Sequence, residues 1–339
     1  MILRFLESHL TERVAARFLP RGAVRLGETE NRGRDSHSGR GDMETMASAL
    51  PMGSLKKQLG SAPADLDRDQ FAVSNVVFLI IIHAGALLSA WRASWTAVAM
   101  CLVLHAVCGG LGIGVGYHRL LTHRSFKCSR ALEYMLALLG CLSLESAPTY
   151  WVAQHRQHHR YPDQPGDPHS AREGFWWSHM LWIAWIPSRD SAEKLQRRYA
   201  PDLVRMPFYQ LLSRFWVVPS IVQGVLLYLL GGVPFVVWGM CVRLVLCYHS
   251  TWLVNSASHR FGYRNFPVED LSTNCWWVAL LAYGEGWHNN HHAFPTSARH
   301  GLKFWEIDPA YAFIRLLKAV GLAWDIKTVT PNELQLRLR

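Results

Sequence analysis

Residues 71–90 read FAVSNVVFLIIIHAGALLSA, twenty positions without a charged side chain. At about 1.5 Å per helical residue, such a run crosses a hydrocarbon core of about 30 Å. Residues 94–117 give twenty-four more uncharged positions after a short turn containing Arg92, so the pair reads as a transmembrane hairpin, with spans at 71–90 and 94–117. Residues 215–242 are again uncharged, are interrupted at Gly231, Gly232 and Pro234, and lead into an apolar stretch reaching Ala257. This is a second hairpin, with spans at 214–231 and 234–257. Arg243 falls inside the last span, where an arginine is costly, and is read as an anchor near the far interface rather than a buried pairing site. The uncharged core at 134–144, between Glu133 and Glu145, is too short to span, so 131–148 reads as a buried or interfacial helix. The fold class that follows is all-α: an integral membrane protein with four transmembrane helices in two hairpins.

Composition agrees. Half of the 339 residues are apolar and the formal net charge is +10. The concentration of apolar residues in long runs argues against a soluble or disordered chain. The basic surplus needs no nucleic acid, because from Arg119 to Arg214 there are thirteen Lys or Arg, whereas the hairpin turns carry at most Arg92. The positive-inside bias then puts the long central loop, the N-terminus and the tail after His259 on the cytoplasmic side. The seven cysteines include no Cys-x-x-Cys pair and mostly lie in apolar stretches, so no disulfide framework is expected. Residues 1–70 form an N-terminal extension, mostly disordered apart from a short helix near 2–18, with acidic residues that disfavour a transit peptide. Residues 71–330 form the membrane domain and 331–339 a tail. The aromatic run Phe175, Trp176, Trp177, with Trp182 and Trp185, reads as an interfacial helix.

Nine of the seventeen histidines fall in four groups: His118 and His123 in HRLLTH, His155, His158 and His159 in HRQHH, His259 in NSASH, and His288, His291 and His292 in HNNHH. On a helix, positions i, i+3 and i+4 share an arc of about 100°, so each triple can aim three rings at one point. Asn255 and His259 are likewise i, i+4. His118 and His123, five apart, fall off a common α-helical stripe, so one of them sits where the helix changes conformation. Neutral imidazole binds zinc, copper, nickel or iron, and one ion accepts at most about six ligands, so nine converging rings imply two metals. His83, His105 and His249 read as lone structural histidines, and His169, His179 and His300 as surface residues or supports of the ligands. Were 131–148 a span, HRLLTH and HRQHH would lie on opposite faces of the membrane.

At these residues the chain resembles the membrane fatty-acyl desaturases, the family of stearoyl-CoA desaturases and the bacterial and plant Δ9-type enzymes. The likeness runs from about 71 to 327 through GYHRLLTHRSFKC, WVAQHRQHHRYPDQPGDPHSAREGFWWSHM, TWLVNSASHRFGYRNF and GEGWHNNHHAFPTSARHGL. It implies a four-span fold with a cytoplasmic helical cap holding the active site, and two iron ions, with O2 as co-substrate and two electrons used to remove two hydrogens from a saturated long-chain acyl group. It carries metal ligation onto the nine histidines above and, through a bound water, onto Asn255. Carboxylates should orient the rings, with Asp163, Asp167, Glu269, Asp270 and Glu285 as candidates. It places Trp151, Thr251 and Trp252 at the bend of a narrow apolar substrate tunnel, although core packing is an alternative for all three. Arg119, Arg124, Arg156 and Arg160 are candidates for an anionic head group, or for lipid phosphate.

Animal acyl-CoA members of the family carry an Arg-Asp pair just before the second histidine box, where this chain has Ala153-Gln154. That departure leaves the carrier open between acyl-CoA and acyl-lipid. No heme-binding domain is evident in the sequence, so the resemblance implies a separate electron donor, a ferredoxin or a b-type cytochrome. Two other readings stand beside the desaturase: an acyl-chain hydroxylase of the same superfamily, and a membrane metal-binding or transport protein. Transport predicts ionisable residues along a path through the bilayer, whereas the clusters here gather beyond one face.

Overall fold

The computed structural model describes residues 70–91 and 93–337. The expected disorder of the N-terminal extension, its short helix and the turn at Arg92 lie outside the described residues.

The first helix among the described residues is α1 (Val73–Leu87), whose sequence VSNVVFLIIIHAGAL has neither charge nor proline. Helix α2 (Trp95–His105) starts at Ser94, whose hydroxyl accepts the Ala97 N–H at 3.2 Å, and continues as a π-helix over Ala106–Thr122. Next come α3 (Arg130–Cys141), α4 (Pro148–Arg160), α5 (Phe175–His179), α6 (Arg189–Tyr199), α7 (Pro201–Val204) and α8 (Pro207–Arg214). Helix α9 (Val218–Val236) leads through a π turn (Val237–Val242) into α10 (Arg243–Ser256) and a 3-10 turn (Ala257–His259). The C-terminal part holds α11 (Trp276–Leu281), α12 (His288–Ala293), α13 (Pro309–Ala319) and α14 (Pro331–Arg337).

Among the described residues three helical stretches are long and apolar enough to cross a membrane: Val73–Trp91, Trp95–Thr122 and Val218–His259. The last, at 42 residues, is about twice the length one crossing needs. It breaks at Gly232, where φ 63° and ψ −152° suit only glycine. The outer faces of these helices are strongly apolar: Ile80, Ile81, Leu229 and Leu230 are all exposed, Leu230 by 76 %. A contiguous surface of this kind is stable against lipid and not against water.

Helix α3 is only 12 residues long and packs on the π-helix. Glycine permits that contact. A Cβ at Gly112 would lie 2.6 Å from the backbone of Leu139 and Gly140, and one at Gly140 would lie 2.3 Å from the Tyr117 ring. The buried core here includes Val115, Tyr117, Leu136, Val152 and Ile314. Two short antiparallel strand pairs tie loops to this frame: Gln70–Phe71 (β1) with Trp185–Ile186 (β3), and Lys127–Cys128 (β2) with Ala323–Trp324 (β4).

Two expectations are corrected. The aromatic segment is not one helix: α5 ends at His179, a 3-10 turn covers Leu181–Ala184, and Trp185 lies in β3. Nor is Arg243 an interfacial anchor, for it is fully buried. Its guanidinium donates to the carbonyl of Leu142 at 2.5 Å, to that of Gly239 at 3.0 Å and to Gln223 Oε1 at 2.8 Å. The Leu142 carbonyl belongs to the C-terminal end of α3, where no intrahelical donor remains and a buried cation is favourable.

Candidate metal centre

Four stretches of chain bring the nine histidines together. HRLLTH meets its expectation: the helix changes conformation here, running as a π-helix to Thr122 with His123 as its C-terminal cap residue. A π-helix bonds residues five apart, and the His123 N–H donates to the His118 carbonyl at 3.1 Å, which aligns the two side chains on one face. Their ring centroids are 4.8 Å apart.

A correction concerns the triples, which do not each aim at one point. The donor atoms form two groups, each within 4.8 Å of one another: His118, His123, His155, His159 and His291 in one, and His158, His259, His288 and His292 in the other. On a helix, residues i and i+4 differ by about 40°, while i+3 lies about 60° to the other side. So α4 gives its i, i+4 pair, His155 and His159, to the first group and His158 to the second. Helix α12 does the reverse, giving His288 and His292 to the second group and His291 to the first.

Carboxylates hold the outer nitrogens. His158 Nδ1 is 2.9 Å from Asp167, His259 Nδ1 2.8 Å from Asp163, His292 Nδ1 2.9 Å from Asp270 and His118 Nδ1 2.7 Å from Glu285. Four of the five carboxylates suggested by the sequence therefore sit against rings, while Glu269 is exposed. Asp163 also accepts the N–H of Leu271 and Ala171; these bonds and His259 outweigh burial and lower its carboxyl to about 2.

The inner nitrogens test whether a metal fits. His158 Nε2 and His292 Nε2 face each other at 3.3 Å, although both rings commit Nδ1–H to an aspartate. With both rings neutral these nitrogens present lone pairs to one another, and a cation between them turns repulsion into ligation. His123 Nε2, His259 Nε2 and both nitrogens of His288 are buried without a hydrogen-bond partner. An unpaired buried polar atom is costly, and a metal ion removes that cost. Burial, reinforced by neighbouring rings, holds His123, His155, His159, His288 and His291 well below the usual histidine range, and lowers His292 to about 4. Those rings are neutral near pH 7, the form in which an imidazole can bind a metal. His158 is the exception: burial pulls it down, but Asp167 beside it more than offsets this and raises it. Asn255 lies one helical turn before His259, in α10, and is partly buried.

Other sequence-derived candidates fare differently. Arg119 is fully buried, with its NH2 3.0 Å from Glu285 and 2.9 Å from Asp308, and it donates to the Ala298 carbonyl at 2.8 Å. It cannot meet a head group; it holds the carboxylate that holds His118. Arg156 is engaged by Asp202 at 2.7 Å and by the carbonyls of Leu121, Thr122 and Tyr199. Arg124 also pairs with Asp202, at 2.6 Å, but is exposed, as is Arg160. His169, His179 and His300 are buried rather than superficial. His300 Nδ1 lies 3.2 Å from Glu285. His83 and His105, read as lone structural histidines, bond within the helical frame, to His249 and Cys247 respectively.

Of the tunnel candidates, Trp151 and Thr251 converge on a residue the sequence reading missed. Glu145 accepts Trp151 Nε1–H at 3.1 Å on one oxygen and the Thr251 hydroxyl at 2.9 Å on the other. Burial outweighs these bonds and pushes its carboxyl up to about 7. The Trp151 ring stacks on His155, centroids 5.0 Å apart, so this carboxyl links to the first group through one indole. Trp252 is buried elsewhere, stacked on Tyr248 at 5.1 Å. The only local hint of Glu145's role was an acidic residue at the edge of an apolar run.

Comparison with known proteins agrees with this geometry. Residues 93–323 match the fatty acid desaturase family. The chain is 46 % identical to the sn-2 palmitoyl-lipid 9-desaturase of Nostoc sp. (strain 36) over 281 residues, 83 % of this chain and 96 % of that protein. It is 48 % identical to the sn-1 stearoyl-lipid 9-desaturase of Anabaena variabilis, over 75 % of this chain and 93 % of the relative. It is 46 % identical to the acyl-CoA C20 Delta5-desaturase of Anemone leveillei, over 78 % and 84 % of the two chains. With matches of this extent, and two imidazole groups built from its histidine motifs, the chain belongs to the fatty acid desaturase family.

Proposed function

We propose that this desaturase is of the Δ9 type, placing a cis double bond in a saturated long-chain acyl group carried on lipid or CoA. The observation that carries this reading is the gathering of nine histidines from four stretches of chain into groups of five and four. Two iron ions held there would supply the oxidising chemistry, drawing on O2 and two electrons. The protein's own part is to hold and orient. His118, His123, His155, His159 and His291 bind one ion; His158, His259, His288 and His292 bind the other, with Asn255 adding a water-mediated contact. Asp163, Asp167, Asp270 and Glu285 fix the rings so that the Nε2 lone pairs point inward. An apolar tunnel running past Trp151 and Thr251 keeps water from the chain, and their shared partner Glu145 sets the bend that presents one carbon–carbon bond to the metals.

The relatives named for position 9 act on lipid-linked palmitoyl or stearoyl groups, which supports both the regiochemistry and a lipid carrier for this chain. In the membrane the break at Gly232 divides the longest apolar helix into two crossings, giving four spans, with the histidine centre and both chain termini on the cytoplasmic side. A separate ferredoxin or b-type cytochrome delivers the electrons. Arg160 and Arg124 remain the exposed candidates for an anionic head group or lipid phosphate.

The test is expression in a strain lacking its own desaturase, with fatty-acid and lipid-class analysis. The expected product has lost two hydrogens at position 9; a product that has gained an oxygen instead would identify a hydroxylase. His158→Ala and His291→Ala, one from each group, are expected to abolish the double bond while leaving the protein inserted. Retained unsaturation in either variant would remove that ring from the ligand set.

A further inference from the structure

The two histidine groups differ in the charge behind them. In the four-histidine group, three of four rings hand Nδ1–H to a carboxylate: His158 to Asp167, His259 to Asp163 and His292 to Asp270. Among the described residues the ion pairs of these three aspartates are with histidines only, and the other contacts of their carboxylate oxygens are backbone N–H groups of Asp163, His169, Ala171, Leu271 and Ser272, while the Arg264 guanidinium meets Asp270 only at its backbone carbonyl. In the five-histidine group one carboxylate touches a ring, Glu285 on His118, and it is shared with the buried guanidinium of Arg119 at 3.0 Å and with His300 at 3.2 Å; Arg119 also pairs with Asp308 at 2.9 Å, so two carboxylates and a guanidinium stand behind this group where three carboxylates stand behind the other.

A carboxylate that accepts N–H from a ligating imidazole makes that ring a stronger donor, and uncompensated negative charge favours the higher charge state of a nearby ion. A nearby guanidinium acts the other way. The fifth neutral ring does not reverse this order, because a neutral donor binds both oxidation states and discriminates between them less than charge does. We propose that the two ions are inequivalent: the ion of the four-histidine group is the harder to reduce, and in the half-reduced protein it is ferric while the ion of the five-histidine group is ferrous. Iron held by His118, His123, His155, His159 and His291 would take the donor's first electron, passing from Fe3+ to Fe2+, and iron at the aspartate-backed site would take the second in the same way.

The inference rests on the two-iron reading, and the experiment separates them. Full-length protein loaded with 57Fe is assayed for iron per chain, then titrated reductively with redox mediators while Mössbauer spectra are recorded. Fewer than two irons per chain would overturn the metal reading itself. With two bound, the expected result is two resolved one-electron steps. Asp163→Asn and Asp270→Asn should move the lower step upward and narrow the gap, whereas Glu285→Gln should move the upper step. A single unresolved step in the wild type, or the aspartate variants acting on the upper step, would overturn the proposal. A variant that loses one iron is still decisive. If Asp270→Asn empties its site, the remaining ion must titrate at the wild-type upper potential, and titration at the lower one would reverse the assignment. Asp270→Glu, which keeps the charge, should retain the wild-type separation.

Discussion

Glu145 shows how one residue can be tested apart from the metals. Its carboxyl titrates near 4.5 when free and at about 7 in the folded chain. Between those values the folded state holds more protons than the unfolded state, so the contribution is fully present below 4.5 and is lost as pH rises through about 7. Glu145→Gln keeps the shape and an acceptor for Trp151 and Thr251 but cannot ionise. Its melting temperature relative to wild type should therefore rise between about pH 5 and about pH 8, with an advantage at the upper end on the order of 1–3 kcal/mol. A difference that does not change with pH would refute the assigned shift. At this scale the sequence was legible where spacing carries the chemistry, as in the nine histidines. It misled where burial decides: Arg119 follows His118 and resembles any membrane-proximal arginine, and only tertiary packing turns it inward onto Glu285 and Asp308.

Among the elements, the helix after His105 explains most of what helical periodicity could not. A repeat of 3.6 residues puts His118 and His123 on different faces, and the π-helix restores them to one. Its signal was visible only as a run of glycines, which weaken an α-helix and let α3 approach. The contact between Gly112 and α3 gives a prediction. Gly112→Leu must displace backbone that would lie 2.6 Å from its Cβ. It should cost about 3 kcal/mol or more, seen as a lower melting temperature in detergent together with weaker iron retention, because α3 supports the helix bearing His118. Gly224→Leu, where the nearest atom to an added Cβ is the flexible Met240 side chain at 3.8 Å, is the control and should be tolerated. The splitting of HRQHH and HNNHH between the two groups was implicit in helical angles, but which ring goes where depends on how α4 and α12 face each other, and no single stretch of sequence contains that.

For the molecule as a whole, the long uncharged runs were the legible part, and they appear as helices with apolar faces exposed. Their ends shifted, most of all at residue 117, where the second run continues as helix to Thr122 and so carries His118 within the same helix. The expected behaviour is that of a protein released by detergent and retained by membranes after washing at alkaline pH; recovery in the supernatant would count against bilayer insertion. A reporter fused at the C-terminus should be active on the cytoplasmic side, and a reporter active only on the opposite side would invert the orientation.

The exchange of rings between α4 and α12 also bears on how the protein is made. Each of the two groups draws imidazoles from the 155–159 stretch and from the 288–292 stretch, so neither can be assembled by a nascent chain until its C-terminal portion has left the ribosome. A polypeptide arrested before His288 would carry six of the nine rings of the two groups, a complete set for neither, and on the two-iron proposal iron offered at that stage would find no vessel to close around it.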